Sequence, residues 1–323
     1  MNILRTINLI IGAVFLLCYF YQFVYIPVVI FGKNKKKYPK GTPHKFACLI
    51  AARNEALVIG DLLDSIKKQT YPAELITVFV IADNCTDNTA EIARERGAVV
   101  YERQNRELVG KGYALDSLMS SIESDFGDVF DGYLIIDADN VLDPHFIDEM
   151  NNTFSDGFDI VTSYRNSKNY GDNWISAGYA LWYLRESRYL SHARSILGSS
   201  CAVSGTGFLF SRRIKNKIGG WPYHQLTEDI EFSVDQIIDG ETIGFAPDAE
   251  LYDEQPVSFR QSWHQRLRWS RGYYQAFGKY GKGLLKGVFR GNFSCYDMSM
   301  AIMPAAILTI AAVICNIVLG TLI

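Results

Sequence analysis

From Phe46 onward, short apolar runs alternate with stretches of helical spacing, and this alternation restricts the fold more than any other feature of the chain. FACLIAA (Phe46–Ala52), ITVFVIA (Ile76–Ala82), AVVYE (Ala98–Glu102), YLIID (Tyr133–Asp137) and FDIVTSY (Phe158–Tyr164) read as strands, several of them buried on both faces. Between them, EALVIGDLLDSIKKQ, DNTAEIARERG, KGYALDSLMSSI and PHFIDEMNNTF read as helices. Gly97 stops the second of these, and Pro144 is expected in the first turn of the last. Strand and helix in turn imply right-handed crossovers. The predicted class is α/β, with a mostly parallel sheet and flanking helices.

Sheets of this kind bind ligands beyond the carboxyl ends of their strands. The first strand runs into Arg53, Asn54 and Glu55, the second into Asp83 and Asp87, the fourth into Asp137, Ala138, Asp139 and Asn140. One acidic strand end could be a helix cap; three along one rim point to a site. In an extended chain, residues i and i+2 share a side, so Asp137 and Asp139 aim the same way. Two carboxylates converging at the edge of a dry core repel unless a cation sits with them. Mg2+ or Mn2+ takes oxygen ligands and bridges to phosphates. Asp-x-Asp alone is a common chance pattern; its place at a strand end is what gives it weight.

The second half supplies further candidates. Thr227, Glu228 and Asp229 open a helix-like stretch. Thr227 could cap it, with two acids at the positive end. Alternatively, Asp229 is a general base that takes the proton of an attacking hydroxyl. Gln265, Arg268 and Trp269 share one helix face. A guanidinium there could grip phosphate by paired hydrogen bonds, or the stretch could be a basic interfacial helix. Gly205 and Gly207 flank Thr206, which allows either a close backbone approach to a ligand or a simple turn. Lys111 stands between two glycines at a helix start, where phosphate binds readily but solvated lysines are also common.

Ile7–Phe31 carries no charge and is long enough to span a bilayer. Lys33, Lys35, Lys36, Lys37 and Lys40 follow it. A second apolar run, Met298–Ile323, follows Lys279, Lys282, Lys286 and Arg290. Both basic flanks border the central block, which places that block on the cytoplasmic side. The expected organisation is a membrane helix over 1–32, a basic cytoplasmic linker over 33–45, a catalytic block over 46–255, a helix and interfacial segment over 256–296, and a second membrane helix over 297–323. Basic residues recur every three or four positions through FGKYGKGLLKGVFRGNF, as on an interfacial helix, yet its five glycines oppose a stable helix in water. A net charge of −3 gives no case for nucleic acid. The six cysteines form no close pairs and read as reduced thiols, and the five histidines form no metal cluster.

Taken in order, Asp83, Asp137-Ala-Asp139, Thr227-Glu-Asp229 and Gln265-Arg-Leu-Arg268-Trp269 resemble the motifs of membrane-bound family-two glycosyltransferases. These include the cellulose, hyaluronan and poly-N-acetylglucosamine synthases. The resemblance runs from about Phe46 to Gly272. It implies a GT-A-type fold and inverting hexosyl transfer from a UDP-sugar to a growing polysaccharide or glycan at the cytoplasmic face of the plasma membrane. Asp83 would hold the uracil, with Arg53, Glu55, Lys111, Asp137 and Arg268 around the nucleotide sugar. Asp139 would be the direct ligand of Mg2+ or Mn2+, and Asp229 the base. Gly205, Thr206, Gln265 and Trp269 would receive the acceptor. Two departures stand out. Ala82 replaces the first member of an acidic pair common beside the uracil. Only two apolar runs are visible, where processive synthases build a channel from several helices, so further membrane helices or partner subunits would be needed. The competing expectations are non-processive addition of one sugar to a lipid or short glycan, and a catalytically silent nucleotide-binding scaffold.

Overall fold

The computed structural model describes residues 2–32 and 38–321; Lys33, Lys35, Lys36 and Lys37 of the basic linker lie outside the described residues. The strands are β1 (Phe46–Ala52), β2 (Ile76–Asp83), β3 (Val99–Arg103), β4 (Gly132–Ile135), β5 (Val141–Leu142), β6 (Ile160–Ser167), β7 (Phe208–Ser211) and β8 (Ile243–Asp253). The helices are α1 (Asn2–Phe31), α2 (Ile59–Lys67), α3 (Thr89–Glu95), α4 (Lys111–Phe126), α5 (Phe146–Ser155), α6 (Trp174–Leu184), α7 (His192–Leu197), α8 (Arg212–Ile218), α9 (Glu228–Ile238), α10 (Phe259–Phe289), α11 (Phe293–Ile302) and α12 (Pro304–Thr321). A π-helical segment, Arg185–Ser191, joins α6 to α7 without a break.

Among the described residues, eight strands form one sheet in the order β3-β2-β1-β4-β7-β6-β8-β5. β1, β2, β3 and β4 pair in parallel, and so do β6 and β8. β7 runs against both β4 and β6, and β5 against β8. The reversal of β7 matters for the site. It brings the start of β7, preceded by Gly205–Gly207, to the same rim as the ends of β4, β6 and β8.

Helices cover both faces of the sheet, so the central strands are apolar throughout rather than alternating. On one face α4 and α9 pack on Leu49, Phe79 and Ile135 with an aromatic stack of Phe208, Phe210, Trp221 and Phe232. On the other, α2 and α5 pack on Cys48, Ile50 and Leu134. Pro144 precedes α5 rather than opening it. Asp143 turns the chain first, its carboxylate accepting from the His145 amide at 2.9 Å and its carbonyl from the Phe146 amide at 3.0 Å.

The glycine-rich stretch is continuous with the helix that carries Gln265, Arg268 and Trp269. Its part over 277–289 is the second half of α10, a single helix of 31 residues. Several glycines of α10 are contact points. A Cβ at Gly272 would lie 2.3 Å from Thr227 Oγ1, at Gly283 2.9 Å from Ile238, and at Gly287 2.3 Å from Cys295 Sγ. Close packing on α9 and α11 thus offsets a helix cost of about 1 kcal/mol per glycine. Lys279 is drawn inward as well, to Glu231 at 2.7 Å.

Among the described residues, one helix is by itself long and apolar enough to cross a membrane: Ile3–Phe31 within α1, almost none of it buried inside the protein. The run expected as one span over 297–323 is broken. α11 and α12 are bent by 43° at Met303 and match a span only when taken together. The residue before a proline is disfavoured in helical geometry, and Pro304 follows the break. α12 returns along α1, where Asn8 and Asn316 hydrogen-bond at 3.0 Å.

Candidate active site

The rim at the carboxyl ends of the parallel strands collects the acidic residues read from the sequence. In strand order it carries Arg103 at the end of β3, Asp83 at the end of β2, Arg53 and Glu55 after β1, and Asp137 and Asp139 after β4. Asp83 is 4% exposed and is held by Arg103, Nη1 to Oδ1, at 2.5 Å. Arg53 is exposed. Burial, then Asp137 and Asp87, push the Glu55 carboxyl up, which ties Glu55 electrostatically to the paired acids.

One hydrogen-bonded chain fixes the Asp-Ala-Asp turn. The Asp137 amide donates to Thr206 Oγ1 at 2.8 Å, and that hydroxyl donates to Asn140 Oδ1 at 2.5 Å. Asn140 Nδ2 donates to Asp139 Oδ1 at 3.1 Å and to Asp253 Oδ1 at 2.8 Å. Asp253 Oδ2 accepts from Arg165 Nε at 3.0 Å and from Gln255 Nε2 at 2.8 Å. Arg165 Nη1 returns to the Ser204 carbonyl at 2.6 Å, and its guanidinium lies 4.0 Å over the Tyr183 ring. Thr206, 2% exposed, is therefore a clasp between loops, enclosed by them. Gly207 has φ +63° and no room for a side chain, since a Cβ would lie 2.0 Å from Leu251.

Lys111 is the cation at the centre. Its ammonium bonds Asp137 and the Gly205 carbonyl, the latter at 2.7 Å, and lies 3.7 Å from Glu228. Burial would lower its pKa, but Asp137, Glu228 and Asp229 together raise it. The reverse holds for the acids. Burial, then Asp253 and Asp137, push Asp139 up to about 7. Burial does the same for Glu228, also to about 7, against the opposing pull of Lys111. Burial raises Asp229 too, with the Ile230 amide, Lys111 and Arg165 opposing it. A Cβ on Gly205 would stand 3.7 Å from both Asp229 Oδ2 and Arg165 Nη1, so the Gly205 turn runs directly beside the candidate base.

Thr227 does not cap α9 with its side chain. Its hydroxyl faces Gly272 of α10, and Thr227 Oγ1 and Gln265 Oε1 are both shielded with no hydrogen-bond partner among the described residues. Trp269 meets Tyr179 edge-on at 5.9 Å.

A cavity of about 1310 Å³ joins these parts. Lys111, Asp137, Asp139, Gly205, Asp229, Gln265, Arg268 and Trp269 all line it; Arg53, Glu55, Asp83 and Thr206 do not. It is also lined by Phe15, Leu16, Phe23 and Ile26 of α1 and by Met298 and Ile302 of α11, with Gln22, Arg194 and Asp297 among them.

Residues 43–272 match the profile of glycosyltransferase-like family 2. The chain belongs to that family. A beta-monoglucosyldiacylglycerol synthase from Nostoc sp. is 26% identical over 297 residues, covering 88% of this chain and 61% of the Nostoc protein. The probable glycosyltransferase YdaM of Bacillus subtilis is 25% identical over 256 residues, covering 74% of this chain and 56% of YdaM. The chain thus spans about three fifths of the length of such relatives. Among solved structures, the mannosyltransferase PcManGT from Pyrobaculum calidifontis, in complex with GDP-Man and Mn2+, superposes with a TM-score of 0.72 at 16% identity, over 98% of this chain and 87% of that one. The family's GT-A-type fold, a sheet with flanking helices, is the one the motifs implied.

For this family-2 chain, the sequence reading passed over Asp253, Arg165 and Glu228 as site residues. Glu228 could have been found from its position beside Asp229. Asp253 and Arg165 carry no motif signal; they meet only because β6 and β8 pair with Ser167 opposite Asp253. The donors available to a divalent cation are carboxylate oxygens, which suit Mg2+ or Mn2+; Asp137 among them is already held by Lys111. Among the described residues no three His, Cys, Asp or Glu side chains converge tightly enough to bind a metal unaided. Phosphate and water would complete the coordination, as is usual for these ions.

Proposed function

We propose that this protein transfers a single sugar from a UDP-sugar to the hydroxyl of a lipid at a membrane surface, with inversion at the anomeric carbon. The observation that carries this reading is the continuity of the cavity: Asp139 and Asp229 share it with apolar side chains of α1 and α11. A growing polysaccharide needs a polar track, whereas acyl chains need an apolar one close to the base. The names of the synthases from Nostoc, Trichormus and Synechocystis point the same way and favour the lipid over the polysaccharide expectation. α1 would anchor the chain, leaving the rim beside the lipid on the cytoplasmic side.

In this reading Asp229 accepts the proton of the acceptor hydroxyl as its oxygen bonds to the anomeric carbon. The bond from that carbon to the diphosphate breaks, and UDP leaves with the electron pair. Arg268 pairs with the diphosphate, and Lys111 keeps Asp137 and the Gly205 turn in place beside it. Asp139, with Asp137, would hold the divalent cation, whose chemistry when bound is to offset charge on the departing diphosphate. Gln265 and Trp269 border the acceptor side, where Gln265 Oε1 has no hydrogen-bond partner among the described residues. Asp83, Arg53 and Glu55 lie along the nucleotide end of the rim.

The test is to incubate the purified full chain with a panel of UDP-sugars and GDP-mannose, with Mn2+, diacylglycerol and oligosaccharide primers. One glycolipid of fixed mass is expected. A ladder of lengthening glycans, or release of UDP with primer but never with lipid, would overturn the reading.

A further inference from the structure

Resting on the reading of Asp229 as the base, we infer that Lys279 is a positioning residue for the transfer: through Glu231 it holds the turn over 225–227, and so fixes where Asp229 stands relative to Lys111 and Arg268. Asp229 lies two residues after Thr227, at the start of α9, so its place follows that of the turn. The turn is packed between three helices that each carry a cavity-lining residue: α4 with Lys111, α9 with Asp229 and α10 with Arg268. On the α4 side, His224 stacks on Tyr113 at 4.2 Å, and a Cβ at Gly112 would lie 2.1 Å from the Tyr223 carbonyl oxygen. On the α9 side, the Tyr223 hydroxyl donates to Asp235 at 2.7 Å. On the α10 side, the Leu226 amide donates to Gln275 Oε1 at 3.4 Å, and the Thr227 side chain fills the space left by Gly272.

Glu231 ties the turn down from beneath. It is 1% exposed. Its Oε2 accepts from the Gln225 amide at 3.1 Å, and its Oε1 accepts from Lys279 Nζ at 2.7 Å and from the Tyr280 hydroxyl at 3.2 Å. One carboxylate thus joins the turn to α10, about three helical turns from Arg268. Among the described residues Lys279 is the one cation paired with it. A buried carboxylate stripped of its cation is costly, and it relieves that cost by turning toward water and releasing the Gln225 amide. The turn then follows neither α9 nor α10 closely. A reacting group displaced by about 1 Å loses on the order of a hundredfold in rate. Neither Glu231 nor Lys279 lines the cavity, so nucleotide affinity has no direct stake in the pair. That separation of rate from affinity is the mark of a positioning role.

The experiment compares the native full-length protein with Lys279→Met, Lys279→Arg, Glu231→Gln and the double variant Lys279→Met with Glu231→Gln. Each is placed in nanodiscs containing diacylglycerol, with oligosaccharide primers, the UDP-sugar panel and Mn2+, so that turnover does not depend on which acceptor class is used. In Lys279→Met, kcat for UDP release should fall roughly ten- to a hundredfold, while UDP affinity by calorimetry stays within about twofold. Lys279→Arg should restore most of the loss. The double variant should be no slower than Glu231→Gln alone, since both substitutions cut one link. Hydrogen exchange reads the link without turnover. In Lys279→Met the stretch over 223–230 should exchange roughly tenfold faster, while 233–238 of α9 keeps its native rate. Native kcat with native exchange in Lys279→Met overturns the inference. So does a matched fall of kcat, UDP affinity and melting temperature, or losses that multiply in the double variant. Asp229→Asn tells the two readings apart. Native turnover in that variant overturns the base reading itself, whereas an inactive Asp229→Asn beside an unimpaired Lys279→Met overturns only the role of Lys279.

Discussion

Asn140 Nδ2 donates to Asp253 Oδ1 at 2.8 Å across a sequence separation of 113 residues. The same amide nitrogen holds Asp139. Asp253 therefore sets the orientation of Asp139 from the opposite end of the chain, and through Arg165 it also sets the Ser204–Gly207 loop beside Asp229.

Asp253→Ala should leave the buried Arg165 guanidinium unpaired. Breaking a buried pair from one side costs about 3–5 kcal/mol. The melting temperature should fall sharply, with Asp253→Asn falling less. A thermal melt that is unchanged for both would show that the network does not hold the loop.

Asp229→Asn should reduce transfer roughly a hundred- to ten-thousand-fold, the range for loss of a general base. UDP affinity by calorimetry should stay within about threefold, a shift under 1 kcal/mol. Parallel loss of both quantities would make Asp229 a structural residue.

Removing the metal ligand should be visible without turnover. Mn2+ with UDP should raise the melting temperature of the native protein, since a ligand bound only to the folded state stabilises it by mass action. Asp139→Asn should abolish that increment while retaining most of the metal-free stability. An increment of the same size in the variant would place the ion elsewhere.

The carboxyls of Asp139 and Glu228 sit at about 7 in the fold, above the ordinary carboxylate range, because burial disfavours their charged forms. Both then bind protons more tightly folded than unfolded. Their contribution to stability is present below about pH 4 and is lost as pH rises to about 7, with no further loss above. In metal-free buffer the melting temperature should decline over that window from these groups. Glu228→Gln should flatten part of the decline; an equally steep profile in the variant would exclude Glu228 as a source.

Gly272→Ala would place a methyl carbon 2.3 Å from Thr227 Oγ1. Overpacking of this kind costs about 1–3 kcal/mol, and here it should also displace Gln265, Arg268 and Trp269 from the cavity. The expected result is a lower melting temperature together with a raised KM for donor or acceptor. Gly278→Ala, at an open position on the same helix, should raise the melting temperature slightly, since alanine favours the helix by about 1 kcal/mol, and leave KM unchanged, and so serves as the control.

Much of this was legible in the chain itself. Strands β1 to β4 follow the apolar runs almost residue for residue, because a strand covered on both faces must be apolar throughout. The acids that follow those runs land on one rim for the same reason, since parallel strands present their carboxyl ends together. The length of α10 was harder to read. Its glycines argue against a helix in isolation, and only Thr227, Ile238 and Cys295 explain why they are there. Thr227 looked like a cap, yet its hydroxyl turned to α10.

Local pattern thus determined the fold class, the rim and the identity of the acids on it, because periodicity and strand ends are properties of neighbouring residues. Tertiary structure alone decided which cations those acids keep, how β7 turns the Gly205 loop toward Asp137, and that the acids share one cavity with side chains of α1. Each of these depends on groups far apart in the chain meeting where water is excluded, and no spacing between neighbours encodes such a meeting.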